Sequence, residues 1–251
     1  MIRKKTQIHL GGTARSPEDV IALHELGLEF AEIPITDAAK FSALKNKYQT
    51  LRKQLGMYYL CHGPQEGDPN NTNSLEEHYL PKLMHILSIM PELGMKLLTL
   101  HLWMDSRYVS QEAIEYKIEM LMRIIKTAND SGIMICLENL SERSIHLAKI
   151  FEAVPLLGLT LDLGHGQLLA KEHTSFSFMR NCPNKIKHIH LHDNRGGISQ
   201  DDDLHLPVGD GIIDFEKIFQ MLGTIDYKGT ITMEMRPHEI KKCLAHVKKL
   251  L

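Results

Sequence analysis

The strongest constraint on this chain is its beat. Short runs of β-branched and aliphatic residues alternate with stretches of helical periodicity, eight times over from end to end. Residues 6–11 (TQIHLG) read as a first strand. Ser16-Pro17-Glu18-Asp19 then sets a helix start, with a capping serine, proline at the first helical position and acids in the first turn. Further strands are expected at 27–35, 57–64, 96–103, 133–140, 157–166, 186–194 and 229–235. Between them the spacing predicts helices to about Gly27 and over 38–55, 75–93, 111–129 and 145–154. A short helical region follows the sixth strand, another helix starts at Asp214, and a helix of Lys and Leu closes the chain.

Strands joined through helices must run parallel, because a parallel connection has to cross back over the sheet face. Eight such units favour closure into a (β/α)8 TIM barrel, an α/β fold, and 251 residues is the size of one such domain spanning 1–251. The competing open, doubly wound sheet would carry a glycine-rich dinucleotide turn after its first strand. Only Gly11-Gly12 stands there, so no nicotinamide cofactor is expected.

Charge and cysteine content narrow the partner classes without excluding nucleic acid. The formal net charge is −2 and Lys and Arg are scattered, so there is no concentrated basic footprint for nucleic acid, although a local basic rim is compatible with an acidic protein. Cys61, Cys136, Cys182 and Cys243 lie far apart with no CxxC pair, which suggests neither a disulfide framework nor a thiolate zinc site. No apolar run has the length of a signal peptide or a membrane span, so a cytoplasmic protein without membrane contact is expected. A homo-oligomer is compatible with the chain, but no feature specifies one.

The fifteen histidines stand out, because several occupy strand positions where Val or Ile is the ordinary choice. Side chains alternate across a strand, so parity separates barrel interior from exterior. In IKHIHLHD, Ile189 and Leu191 share one face and His188, His190 and His192 the other, which implies a histidine-lined lumen. The same test places Asp162 between Leu161 and Leu163, His101 between Leu100 and Leu102, Glu234 between Met233 and Met235, and Glu138 after Leu137. Each lies near the C-terminal end of its strand, where barrel enzymes gather their catalytic groups, and His62 ends the third strand in the same way.

A single histidine in such a place is more often a packed core residue than a ligand. Three buried carboxylates are different, since Glu138, Asp162 and Glu234 need a counter-charge. No Lys or Arg shares the lumen parity in the last four strands, although Arg236 follows closely. A divalent metal is the simplest cation, and a mixed oxygen and imidazole set suits zinc, manganese, cobalt or iron better than calcium. His165, in the turn DLGHG, is placed to reach the same centre or a second one. The long loop after the seventh strand carries Asp203 and His205, although an acidic run such as 201–203 is often only a solvated surface.

The segments LENL, LDLGHG, HIHLHDN, DDLHLPVGDGIIDF and ITMEM resemble the sugar phosphate isomerase/epimerase family, the xylose-isomerase-like barrels that also include endonuclease IV. The resemblance covers essentially the whole chain and is most specific over 134–236. It implies a metal site of Glu138, Asp162, His190 and Glu234, and it selects His190 where parity leaves three histidines open. Positions resembling the further ligands of endonuclease IV are His62, His101, His165, Asp203 and His205, which implies one to three ions, zinc or manganese foremost. HGPQEGD and LENLSERS depart from the nuclease pattern. The implied activity is isomerisation or epimerisation of a small sugar, sugar phosphate or polyol ketone, with Glu138 and Glu234 as acid and base through an enediolate. The alternative it implies is a zinc phosphodiesterase acting on abasic DNA or another phosphoester.

Overall fold

The computed structural model describes residues 8–251. Eight parallel strands close into a barrel in chain order, with the first paired to the last. They are β1 (His9–Thr13), β2 (Phe30–Pro34), β3 (Tyr58–His62), β4 (Leu97–Leu100), β5 (Met134–Glu138), β6 (Gly158–Asp162), β7 (Ile186–Leu191) and β8 (Thr230–Met233). Around them run α1 (Pro17–Glu25), α2 (Ala38–Ser42), α3 (Lys45–Leu55), α4 (Thr72–Ser74), α5 (Leu80–Leu93), α6 (Gln111–Asp130), α7 (Ser144–Ala153), α8 (Ser175–Asn181), α9 (Phe215–Thr224) and α10 (Pro237–Leu250). Among the described residues, no helix is long and apolar enough to cross a membrane.

The expected TIM barrel is therefore the observed fold, with shifts at element ends. The first strand runs through Gly11 and Gly12 instead of stopping there, and residues 6 and 7 lie outside the described part. The glycines read as a turn, yet packing requires them. A Cβ on Gly11 would press into the Phe30 ring inside the barrel, and one on Gly12 would meet Leu23 of α1 and Ile240 of α10. The helix expected over 38–55 is divided at Ala43 and Leu44, whose N–H groups bond three residues back instead of four, and Phe41 stacks on Tyr48 across the break.

The chain before α5 also starts its helix earlier than expected. Asn71 caps α4, and a π-turn over Leu75–Tyr79 leads into α5. That extra residue per turn aims the Tyr79 hydroxyl at the end of β4, where it donates to the His101 carbonyl at 3.0 Å.

Two cores result. Between barrel and helices lies an aliphatic layer that includes Leu98, Leu100, Ile135, Leu161, Ile189 and Ile231. Inside the lower barrel, Phe30, Leu60, Leu97 and Cys136 pack together. Above this plug the lumen turns polar, with Thr99 and Thr160 hydrogen-bonded at 2.9 Å. A register shift opposite Lys187 pairs Leu159 with Ile186 and Thr160 with His188. Beyond that shift His188, His190 and His192 are all fully buried, as the parity of the seventh strand requires.

Candidate metal centre

All nine residues singled out from the sequence converge at the C-terminal end of the barrel, each touching at least one other. His101 and Glu234 lie one residue beyond β4 and β8. The ladder still holds the latter, since the Glu234 N–H donates to the Leu191 carbonyl at 3.0 Å.

Glu138 is central. Its Oε2 lies 2.6 Å from His101 Nε2 and 3.5 Å from His62 Nε2, while its Oε1 lies 2.9 Å from His190 Nδ1. His190 Nδ1 is also 3.4 Å from Glu234 Oε2 and 3.7 Å from Asp162 Oδ2, so one imidazole nitrogen faces three carboxylates. Asp162 extends the cluster sideways, with Oδ2 at 3.2 Å from His192 Nε2. Asp203 then lies 3.2 Å from His165 Nε2 and 3.0 Å from His205 Nε2.

Local chemistry sets these positions. Asn139 locks the tops of β5 and β6 together, accepting from the Asp162 N–H at 2.8 Å and donating to the Asp162 carbonyl at 3.0 Å. Asp162 Oδ1 accepts from the His165 N–H at 2.6 Å, which closes the DLGH turn, and His165 Nδ1 bonds the Asn139 carbonyl at 2.9 Å. Gly164 has no alternative in that turn, because a Cβ there would run into the His192 ring.

The loop after β7 is organised by the buried Asp193, whose carboxylate accepts from the N–H groups of Gly209, Gly211 and Ile213 at 2.9, 2.9 and 3.2 Å. Asp193 also pairs with Leu206 through two backbone bonds. This brings Asp203 and His205 back over the barrel, with His205 held at φ +46° and stacked on His192 at 4.0 Å between ring centroids.

Burial alone would push the Glu138 and Asp162 carboxyls toward neutrality. The imidazoles of His101 and His190 around the first, and of His165 and His192 around the second, hold both well below the usual carboxylate range. Burial also opposes charge on His190 and His165, but the surrounding carboxylates outweigh it and hold both well above the ordinary value. His62 and His205 are pushed up to about 9 for the same reason. Carboxylates and imidazoles of the cluster thus favour one another's charged forms.

The donor set fits a divalent cation. His62 Nε2, His101 Nε2, Glu138 Oε2, Asp203 Oδ1 and Glu234 Oε2 are buried atoms with no hydrogen-bond partner among the described residues. His101 Nε2 and Glu138 Oε2 approach to 2.6 Å without hydrogen-bond alignment, as two ligand atoms directed at a shared point would. Several triads bring one ligand atom from each residue within 4.8 Å of the others, among them His62-His101-Glu138, His62-His190-Glu234, Asp162-His165-His192 and His192-His205-Glu234. All donors are nitrogen or oxygen, a combination that zinc and manganese accept.

Sequence reasoning missed Glu32 on β2, which is 1% exposed and lies within hydrogen-bond reach of both His188 and His190. The parity test applied to FAEIP would have found it, between the outward Ala31 and Ile33. It also missed a polar layer beneath the β4–α6 loop. There the fully buried Lys117 pairs with Glu66 at 2.7 Å, and Glu66 accepts from the Trp103 N–H at 2.6 Å. Beside them Glu142 accepts from the N–H groups of Met104 and Leu140, and burial pushes its carboxyl up to about 7.

A family model described as xylose isomerase-like TIM barrel matches residues 20–250. The uncharacterized protein MJ1311 of Methanocaldococcus jannaschii is 33% identical over 143 residues, 53% of this chain and 46% of that protein. The chain spans about half to two thirds of the length of the curated relatives it matches. Among solved structures, a D-tagatose 3-epimerase-like protein superimposes with a TM-score of 0.81 at 22% identity, covering 97% of each chain. The D-allulose 3-epimerase of Methylomonas sp. superimposes with a TM-score of 0.79 at 16% identity, covering 98% of this chain and 99% of the other. With the closed eightfold barrel and a match along nearly its full length, the chain belongs to the xylose isomerase-like TIM barrel family.

Proposed function

We propose that residues 1–251 act as one barrel unit that isomerises or epimerises a small sugar, sugar phosphate or related polyol ketone with the help of a divalent metal. The observation that carries this reading is the pair of carboxylates Glu138 and Glu234. Both contact the same two imidazoles, those of His62 and His190, and so flank one space at the mouth of the barrel. The names of the two fold neighbours, both 3-epimerases of ketohexoses or like them, support a sugar as substrate.

Glu138, Asp162, His190 and Glu234 would hold the ion, zinc or manganese, and His62, His101, His165, Asp203 and His205 could hold further ions. A divalent ion there supplies Lewis acidity toward a carbonyl and its neighbouring hydroxyl. The chain does the proton work. One glutamate, as carboxylate, takes the proton from the carbon next to the carbonyl, and the electron pair moves into the carbonyl to give an enediolate. The other glutamate, protonated at the outset, gives its proton to the opposite face of that carbon for epimerisation; for isomerisation the former carbonyl carbon receives it while the hydroxyl proton passes to the former carbonyl oxygen. The face that the substrate presents decides which glutamate begins as base.

A second reading is favoured by the convergence of all nine candidate ligands, a number that a single ion does not need. Metal-assisted hydrolysis of a phosphoester, abasic DNA included, would use such a set.

The test is metal content after purification without chelators, followed by incubation with ketohexoses and their phosphates in deuterated water. About one ion per chain with deuterium entering beside the carbonyl is expected. Two or three ions per chain, cleavage of an abasic duplex and no exchange on any sugar would replace the first reading by the second.

A further inference from the structure

Below the mouth of the barrel a second acid-imidazole group lies in the lumen. Glu32, His188 and His190 are all buried, and each offers a nitrogen or oxygen within 4.8 Å of the others. The hydrogen bonds give this group a direction. His188 Nδ1 lies 2.5 Å from the Thr230 hydroxyl, and His188 Nε2 lies 3.0 Å from Glu32 Oε2. His190 Nε2 lies 3.2 and 3.1 Å from the two oxygens of the same carboxylate. The Thr232 hydroxyl also lies 3.1 Å from His188 Nε2. A donor order that fits all these contacts has the Thr230 hydroxyl donating to His188 Nδ1 and the Nε2–H groups of His188 and His190 donating to Glu32, with Thr232 Oγ1 as a second acceptor for His188.

His190 is thus held at both ends. Its Nε2 faces the Glu32 carboxylate, and its Nδ1 faces Glu138, Asp162 and Glu234. The ring has little freedom to turn, packed nearly parallel to His62 at 5.5 Å between centroids and perpendicular to His188 at 5.1 Å. A histidine that ligates a metal through one nitrogen commonly donates the other N–H to a carboxylate, which sets its tautomer and raises its basicity. Glu32 is the only carboxylate on the Nε2 side among the described residues.

We infer that Glu32 is a positioning residue that keeps His190 in the Nε2–H tautomer and presents its Nδ1 to the metal, with His188 and Thr230 fixing the carboxylate from below. This rests on the metal-centre reading above. The residue adds a third buried carboxylate to Glu138 and Asp162 without touching substrate, and it explains why a charged side chain occupies the middle of β2 between the Phe30 plug and the metal-binding layer.

Two measurements test this on the full chain. Nitrogen-15 NMR of the histidine rings in zinc-loaded wild-type protein reads the tautomer directly. A proton on His190 Nε2 is expected, and a proton on Nδ1 with zinc on Nε2 overturns the assignment. Competition with a chelator then compares zinc affinity in the wild type and Glu32→Gln, which keeps the shape and removes the charge. A loss of roughly 10–100-fold is expected, with the cobalt-loaded variant showing a shifted visible absorption band. Unchanged affinity and spectrum in Glu32→Gln overturn the positioning role alone. A wild-type protein that binds no zinc under these conditions overturns the metal centre and this role with it.

Discussion

Replacement of Lys117 by methionine tests the energetics of the layer that supports the β4–α6 loop. The Lys117 side chain is fully buried and Glu66 is 7% exposed, with 2.7 Å between their charged atoms. Lys117 also donates to the Trp103 carbonyl at 2.8 Å while Glu66 accepts from the Trp103 N–H at 2.6 Å, so the ion pair grips both ends of one peptide residue. Methionine fills the same volume but leaves the carboxylate buried with no cation. Breaking such a pair from one side costs about 3–5 kcal/mol, a fall of roughly 6–20 °C in Tm for a chain of this size.

The cost depends on pH in a predictable sense. Burial raises the Glu66 carboxyl and Lys117 opposes the rise, so removal of Lys117 raises it further. A carboxyl raised in the folded state costs stability only as pH climbs above its unfolded value, about 4.3. The deficit of the variant is therefore smallest at about pH 4 and grows toward neutrality. Urea unfolding followed through Trp103, the single tryptophan and itself part of the network, measures both quantities. Glu66→Gln combined with Lys117→Met should recover most of the loss. A single variant within about 1 kcal/mol of wild type, or a double variant no better than the single one, would refute the claim that the buried charge is what costs.

Three further outcomes follow from the site. Glu138→Gln or Glu234→Gln should lower turnover on any substrate found by about 10²–10⁴-fold, and a variant retaining wild-type rate and metal content contradicts the acid-base assignment. Gly164→Ala has an acceptable backbone at φ −66° but directs its methyl into the His192 ring, so a loss of about 1–3 kcal/mol with reduced metal content is expected in calorimetry and metal analysis. His62 and His205, raised to about 9, contribute stability to the metal-free protein that is fully present below the unfolded value of about 6.5 and is lost as pH rises through the folded value. Chelator-treated protein should therefore lose Tm between about pH 6.5 and 9. Metal-loaded protein, whose ligands must be deprotonated, should gain affinity over the same range.

The fold was legible because its signal repeats: eight alternations each carry the same parity and crossover logic, and a misplaced end in one leaves the others intact. The lumen residues were legible for a related reason. Asp162, His190 and Glu234 interrupt aliphatic faces that the surrounding helices require, so parity alone assigns them inward. Gly11 and Gly12 misled because a glycine pair signals a turn locally, whereas here the reason is the Phe30 ring and two distant helices. Glu66 and Lys117 were invisible, because neither interrupts a pattern and their pairing arises only when the β3 loop folds against α6. Glu32 lay within reach of the parity test, but its significance depends on His190, which lies on the opposite side of the barrel.

Asp193 has a consequence for change over time and by design. It ties down both ends of the loop after β7, accepting from residues 209–213 and pairing with Leu206, so Asp203 and His205 are carried on the anchored return limb. The tip between is held by a local turn on Asp202 and by one backbone bond from the Leu169 N–H to the Gly197 carbonyl at 2.9 Å, and it leaves Ile198 84% exposed. Insertions or exchanges at 195–199 are therefore expected to leave Asp203 and His205 in place. Under the proposed function the molecule would separate a fixed reaction centre from a replaceable threshold, and new specificities would be sought at that tip without rebuilding the candidate metal site.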